Sequence, residues 1–165
     1  MRSVFLKNRD VQSSYDKLAS IGVMALVSLL LTIGYLVTPI LFLELPPKQA
    51  GEIAGFLFNS ASLIVLPCLF ILIGFYAFYE NQLKQVKSLV LSLVLLLILR
   101  LWISPWMSEI KAIYPLGLDK NSADWPLFAS LHGVYQIAYL GIILLLLYWG
   151  LKRLFGVTIK PSNRE

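Results

Sequence analysis

The feature that most constrains this chain is a series of four long apolar runs, which together fill most of its 165 residues. A helix needs about 20 mostly apolar residues to cross the hydrocarbon core of a bilayer. Each run is long enough for that, and too little chain remains between the runs for a soluble domain. The runs predict four membrane-spanning helices, at about residues 18–43, 50–79, 86–106 and 126–155.

Composition agrees with this prediction. Hydrophobic residues make up 58% of the chain and charged residues 14%, whereas soluble domains carry about 25% charged residues. The sequence therefore predicts an all-α fold, a four-helix transmembrane bundle that forms a single membrane domain over residues 1–165. The first run exceeds the 7–15 apolar residues typical of a cleaved signal peptide, so we expect it to remain as a signal-anchor helix. The polar segment before it, residues 1–17, suits a short interfacial helix.

Prolines predict where the helices start, stop and bend. Pro46 and Pro47 should end the first helix, and Pro126 suits the first turn of the fourth helix, where its missing N–H has no consequence. Pro67 lies inside the second run and predicts a kink there. Pro105 should bend or end the third helix.

The distribution of basic residues predicts the orientation. Ten lysines and arginines lie in the two tails and the loop between the second and third runs, against three on the other side. The ten are Arg2, Lys7, Arg9, Lys17, Lys84, Lys87, Lys152, Arg153, Lys160 and Arg164; the three are Lys48, Lys111 and Lys120. Cytoplasmic loops carry the excess of Lys and Arg, so both termini should be cytoplasmic, in a bacterial inner membrane. Because topology accounts for the excess of basic residues, we do not expect the protein to bind nucleic acid. The expected partners are the lipid bilayer and a second copy or another membrane protein.

Arg100 is the charge placed well inside an apolar run, and it is the main functional clue. Asn59 in the second run and His132 in the fourth run should lie at a similar depth, in the outer half of the bundle. Gln136 follows His132 by one turn, and Tyr135 borders the same face. One hypothesis is a polar pocket open to the outer side, in which Arg100 binds a carboxylate or phosphate and His132 serves as a ligand, a metal ligand included, or as a proton carrier.

The alternative hypothesis is structural. Arg100 would snorkel toward the membrane surface or pair with Glu52 or Glu44 and so hold helices together, and His132 would be a hydrogen-bonded core residue. Small residues on the second run, Gly51, Gly55 and Ser62, together with Gly133 on the fourth, predict close helix packing within the bundle or between copies.

Catalytic signatures are otherwise absent from the sequence. A single histidine and a single cysteine, Cys68, cannot form a zinc site by themselves, and the sequence contains neither a glycine-rich phosphate loop nor a recognised Ser-His-Asp spacing. The single thiol is expected to pack as a small apolar side chain. These features favour a protein without enzymatic activity.

Three stretches, Gln49–Phe58, Arg100–Lys111 and Phe128–Gln136, resemble a bacterial domain-of-unknown-function family related to eukaryotic transmembrane protein 205. In that family an Ala-Gly pair opens the second helix, a proline follows the third, and a Leu-His pair lies early in the fourth. The matching positions here are Ala50, Gly51, Pro105, Leu131 and His132. The family is itself distantly similar to the copper-resistance CopD-like membrane proteins, some of which handle haem or porphyrins through membrane histidines.

Three functions follow as alternatives. The first is a non-enzymatic accessory or assembly factor in the membrane, with no cofactor. The second is a binder or transporter of a small anionic ligand through the pocket around Arg100 and His132. The third is a haem- or porphyrin-handling protein, in which His132 would be the single axial ligand of a five-coordinate haem.

Overall fold

The computed structural model describes residues 2–79, 86–115 and 117–155, and it describes side chains over residues 14–77, 86–115 and 117–155. Over these ranges the chain is helical and has no strand. Four of the helices are long and apolar enough to cross a membrane, namely Ser14–Glu44, Pro47–Ala77, Lys87–Ile113 and Trp125–Leu154. Several charges used in the orientation argument lie outside the described residues: Lys84, Lys160, Arg164 and the side chains of Arg2, Lys7 and Arg9.

The first helix, α1, begins at Arg2 and ends at Glu44. It consists of an α-helix over Arg2–Leu31, a π-helical segment over Thr32–Val37 and a short α-helix over Thr38–Glu44. The polar segment at the start of the chain does not form a separate interfacial helix, since the helix runs without a break from Arg2 into the apolar run.

The second helix, α2, follows after a two-residue turn. Leu45 and Pro46 are extended, and Pro47 occupies the first turn, so the proline pair separates the two helices as predicted. The helix consists of an α-helix over Pro47–Gly74 and a π-helical segment over Phe75–Tyr79. It stays α-helical through Pro67.

The third helix, α3, comprises Lys87–Ile98, a π-helical segment over Leu99–Ile103 and Ser104–Ile113. Pro105 therefore does not end this helix, which continues for two further turns. The fourth helix, α4, covers Trp125–Leu154 as one α-helix with Pro126 in its first turn.

Two of the π-helical segments end two residues before a proline. Pro39 and Pro105 have no N–H, so neither can complete the hydrogen bond to the carbonyl four residues earlier. In both cases the preceding residue bonds across the wider turn: the N–H of Thr38 donates to the Ile33 carbonyl, and that of Ser104 donates to the Leu99 carbonyl. A π-turn lets a helix pass a proline while its neighbours keep their backbone hydrogen bonds.

The core of the bundle is apolar. Its fully buried side chains include Leu30, Leu69, Leu89, Ile142 and Leu146, contributed by all four helices. Only 22–33% of the residues in the most apolar window of each helix are buried within the chain. Most apolar side chains therefore face outward, which suits a chain solvated by lipid rather than by water.

Tyr139 connects α4 to α1 and α2. Its hydroxyl donates a hydrogen bond of 2.8 Å to the Leu30 carbonyl, just before the first π-helical segment. The Phe58 ring packs edge-on against the Tyr139 ring, with centroids 5.0 Å apart. This contact requires a glycine at position 34, because a Cβ there would lie 2.6 Å from Cε1 of Tyr139.

A second polar contact holds the end of the bundle at which the membrane-spanning part of α1 begins and α4 ends, which we call the terminal end. Arg153 forms an ion pair with Asp16, and the hydroxyl of Tyr76 donates to the same carboxylate at 2.8 Å. The Arg153 guanidinium lies 4.0 Å from the centroid of the Tyr76 ring and 5.1 Å from that of Trp149. Three helices, α1, α2 and α4, thus meet at one charge pair, whose arginine side chain is only 7% exposed.

The opposite end, which we call the loop end, carries the α1–α2 turn and the α3–α4 loop. The Lys48 ammonium donates a 2.6 Å hydrogen bond to the Pro115 carbonyl and so joins the start of α2 to that loop. The Tyr114 hydroxyl donates to the Asp124 carboxylate at 2.9 Å, which fixes the exit of α3 beside the start of α4.

Candidate functional site

Arg100 lies in the π-helical segment of α3 and contacts α2. Its Nη1 donates to the side-chain oxygen of Asn59 at 2.6 Å and lies 3.2 Å from the Asn59 carbonyl. The same nitrogen contacts the Ser62 hydroxyl, which donates in turn to the Asn59 carbonyl at 2.7 Å. One edge of the guanidinium is therefore held by an amide, a hydroxyl and a backbone carbonyl.

No carboxylate of the described residues pairs with Arg100. The predicted pairing of this arginine with Glu52 or Glu44 is not found: its partners on α2 are the neutral residues Asn59 and Ser62. These contacts still join α3 to α2, as the structural alternative expects of Arg100. A neutral partner orients a guanidinium but leaves its charge uncompensated. An arginine near the centre of a membrane helix costs about 2.5–3.5 kcal/mol on insertion scales, and no described carboxylate offsets that cost for Arg100.

The depth of Arg100 follows from its neighbours on α3. The exposed Trp106 lies six residues further along the helix, about 9 Å at 1.5 Å per residue. Tryptophans gather at the membrane–water interface, and Trp106 is followed by the polar residues Ser108, Glu109 and Lys111. With Trp106 as the marker of the interface, Arg100 lies below it on the loop-end side.

A small recess lies beside Arg100, between α2, α3 and α4. Its lining combines apolar and polar side chains: Phe58, Asn59, Ser62, Leu96, Leu99, Arg100, Ser104 and Tyr135. Its volume is about 20 Å³, and a cavity of about 10–15 Å³ by this measure holds one water molecule. The recess thus accepts one or two oxygen atoms rather than a whole ligand.

Tyr135 is held in the recess wall by its ring. The Phe58 ring packs edge-on against the Tyr135 ring, with centroids 5.6 Å apart. The Tyr139 ring stacks on the Tyr135 ring, with centroids 6.2 Å apart. Its hydroxyl makes no hydrogen bond to any residue of the described part of the chain. Tyr135 therefore lines the same recess as Arg100 and has a hydroxyl without a described partner.

His132 and Gln136 lie outside this recess. Their side chains are hydrogen-bonding neighbours on α4, with 3.5 Å between Nε2 of each, and the His132 ring stacks on Phe128 with centroids 6.2 Å apart. The face of α4 that turns inward carries Leu131, Tyr135 and Tyr139 instead. The sequence grouped His132 with Arg100, but the helix is rotated by one position, about 100°.

The small residues predicted for helix packing have few neighbours within the chain. A Cβ at Gly55 or Gly133 would meet nothing within 4 Å, and one at Gly51 would make an ordinary contact with Phe42 at 3.9 Å. Ser62, in contrast, is buried and belongs to the Arg100 site. Packing through Gly55 and Gly133 therefore stays a prediction that concerns contacts outside this chain.

No cluster of three or more His, Cys, Asp or Glu side chains that could hold a metal ion occurs in the part of the chain that the structure describes. Cys68 is a half-buried free thiol. Haem or metal ligation by His132 stays a prediction.

Sequence reasoning missed the Asp16–Arg153 pair. Arg153 was interpreted only as an orientation charge, although Trp149 and Arg153 are one helical turn apart and Asp16 is an acidic residue in a basic tail. A signal for this pair was available in the sequence. The fourth apolar run ends near an arginine and the first begins near an aspartate, and both ends lie on the same side of the membrane in the predicted topology.

Four apolar helices of membrane-spanning length define the chain as a multi-pass membrane protein. The profile of a family described as a domain of unknown function, DUF4149, matches residues 21–114, more than half of the chain. The chain belongs to this family. The matched segment includes Arg100, Asn59 and Ser62 and ends before α4. No curated protein and no solved structure matches the chain.

Proposed function

We propose that this chain is a non-enzymatic accessory protein of the bacterial inner membrane that holds an anionic group at Arg100. The observation that carries the proposal is a guanidinium inside a membrane helix whose described partners are neutral and occupy one of its nitrogens. Arginine binds carboxylates and phosphates through paired N–H groups, and the remaining donors of Arg100 suit that role. An accessory or assembly function follows if the anion belongs to a partner or to the membrane.

The orientation completes the proposal. The excess of basic residues in the tails supports cytoplasmic termini, which places the loop end and the Arg100 recess on the outer side. The motifs at Ala50, Gly51, Pro105, Leu131 and His132 support a further relation to transmembrane protein 205 and, more distantly, to the CopD-like proteins.

Thermal unfolding of the purified protein in a neutral detergent tests anion binding. Sodium phosphate and sodium acetate are each compared with sodium chloride at equal ionic strength. A ligand that binds only the folded state stabilises it by RT ln(1 + [L]/Kd), so at least one of the two anions should raise Tm by a few degrees. Arg100→Gln should abolish the rise.

Lys120→Gln is the matched control, because it removes one positive charge from an exposed position at the same end of the bundle. Its Tm should respond to the anion as that of the natural chain does. An equal rise in Arg100→Gln, or no rise with either anion in any form of the protein, would refute the proposal.

A further inference from the structure

The donors that line the recess outnumber the acceptors available to them. Arg100 uses Nη1 for Asn59 and Ser62, while Nε and Nη2 donate to no residue of the described ranges. Tyr135 and Ser104 line the same recess, and their hydroxyls likewise make no hydrogen bond to a residue of the described ranges. A group with several acceptor oxygens and a negative charge matches this set.

The chemistry of the donors favours phosphate. The guanidinium edge formed by Nε and Nη2 presents two parallel N–H groups, the arrangement that binds two oxygens of one phosphate. A hydroxyl donor on α4 and one on α3 can serve further oxygen positions. None of the eight residues that line the recess is acidic, so nothing in the lining opposes an anion.

The size of the recess indicates how such a phosphate arrives. A volume of about 20 Å³ admits an oxygen or two, so most of the bound molecule must stay outside the bundle. The neighbouring side chains on α3, Leu101 and Trp102, are 58% and 67% exposed and present an apolar surface suited to acyl chains. A lipid can place its phosphodiester oxygens in the recess and leave its tails in the bilayer.

Polar residues continue along α3 from the recess toward the loop end. Ser104 lines the recess, and Ser108 and Lys111 follow it on the same helix. With Trp106 at the interface, Arg100 lies about 9 Å below it at 1.5 Å per residue, and Lys111 lies on its headgroup side. Lys111 is a second positive charge at this end of α3, and it attracts anionic headgroups to this part of the protein.

We propose that Arg100, together with Tyr135 and Ser104, binds the phosphodiester of an anionic glycerophospholipid from the leaflet at the loop end. This inference rests on the proposed function and names its ligand class. The shared chemistry is a phosphate anion, which a lipid headgroup or free phosphate could supply, and the experiment separates these sources.

The test is native mass spectrometry of the full chain in detergent with equal amounts of phosphatidylglycerol and monogalactosyldiacylglycerol, an uncharged lipid that has no phosphate. The natural chain should retain phosphatidylglycerol at least about fivefold over the uncharged lipid, as expected when one charge-assisted contact to the phosphodiester selects the headgroup. Arg100→Gln should bring the ratio to about one. Tyr135→Phe, which keeps the ring against Phe58 and removes only the hydroxyl, should lower the preference about fivefold or less.

Two matched controls accompany these variants. Lys120→Gln changes the charge by the same amount elsewhere at the loop end, and Tyr148→Phe removes a hydroxyl from an exposed position on α4; both should keep the natural preference. Helical circular dichroism and a single gel-filtration peak establish that each variant is folded. If Arg100→Gln fails that check, Arg100→Lys, which keeps the charge and loses the paired N–H groups, and Tyr135→Phe decide.

The outcomes are distinct. No preference for phosphatidylglycerol in the natural chain, or a preference that survives both in the folded Arg100 variant and in Tyr135→Phe, overturns the lipid inference. If inorganic phosphate raises Tm through Arg100 while phosphatidylglycerol shows no preference, the ligand is a free anion and the proposed function stands alone. If phosphatidylglycerol shows no preference and neither phosphate nor acetate raises Tm, the lipid inference and the proposed anion-binding function are both refuted.

Discussion

The ring of Tyr139 lies over Gly34, and the two positions together decide how closely α4 approaches α1. We expect Gly34→Ala to destabilise the protein by about 1–3 kcal/mol, the usual cost of overpacking a core, because the added Cβ meets Cε1 of a ring that is held by a hydrogen bond and by Phe58. Chemical unfolding in detergent measures the change. Gly55→Ala is the control, since nothing lies within 4 Å of its Cβ position. If Gly55→Ala lost as much stability as Gly34→Ala, the loss at position 34 could not be assigned to the contact with Tyr139.

The hydroxyl of Tyr139 makes a separate contribution. Tyr139→Phe keeps the ring and leaves the Leu30 carbonyl without its side-chain donor, so we expect a loss of about 0.5–1.5 kcal/mol. The same unfolding assay compares it with Tyr148→Phe, whose exposed hydroxyl should be dispensable. Equal stability of Tyr139→Phe and the natural chain would show that the hydrogen bond adds nothing.

The sequence predicts which residues belong to the site better than it predicts which way their side chains face. Arg100 and Asn59 stand out as polar residues at matching depths, and the structure joins them. His132 stands out equally, yet it faces away from Arg100. Because α4 is apolar on nearly every side, its sequence holds little information on its rotation about its own axis, and the choice between Tyr135 and His132 as the inward residue depends on packing against Phe58.

At the scale of elements, the third helix shows how a proline shapes the site. Arg100 lies on a π-turn that ends two residues before Pro105. In Pro105→Ala the new N–H can bond to the carbonyl four residues earlier, the turn can close to an α-turn, and Arg100 would rotate relative to α2. We expect the Tm rise with the anion to be lost while the unliganded protein remains at least as stable.

Pro67→Ala is the comparison for that experiment, because Pro67 lies within an uninterrupted α-helix and carries no recess residue beside it. It should keep the full response to the anion. A normal response in Pro105→Ala would mean that the π-turn does not position the arginine.

The boundaries of the helices were harder to predict than their number. Length and hydropathy alone predict four spanning helices, and the Pro46–Pro47 pair marks the first turn. The third helix was expected to bend or end at Pro105 because a proline removes one backbone donor. The structure absorbs that loss in a wider turn, which depends on backbone geometry that hydropathy does not record.

At the scale of the whole molecule, the bundle is closed by contacts between the first and last helices. The Asp16–Arg153 pair is partly buried, and removing Asp16 takes away the carboxylate that pairs with the Arg153 guanidinium. We expect Asp16→Asn to destabilise the protein by about 1–3 kcal/mol, less than for a fully enclosed pair because Asp16 is 27% exposed.

The control is Glu109→Gln, which removes the charge of an exposed acidic residue on α3. A double-mutant cycle with Arg153→Gln isolates the pair, and a coupling near zero would rule it out as a stabilising contact.

The orientation of the bundle in the membrane is testable by labelling. In a Cys68→Ser background, Lys120→Cys should react with a membrane-impermeant maleimide in intact cells whose outer membrane is permeabilised, whereas Lys152→Cys should react only after lysis. The reverse pattern would invert the proposed topology and move the Arg100 recess to the cytoplasmic side.

The pair between Asp16 and Arg153 spans 137 positions of the chain, so it also sets a condition on biogenesis. A ribosome that has delivered the first three helices has placed Asp16 and Tyr76 in the membrane without their cation. The terminal end of the bundle can lock only when nearly the whole chain has emerged. A truncated product without α4 therefore carries the Asp16 carboxylate without the Arg153 cation, and α1 lacks its ionic contact with the last helix.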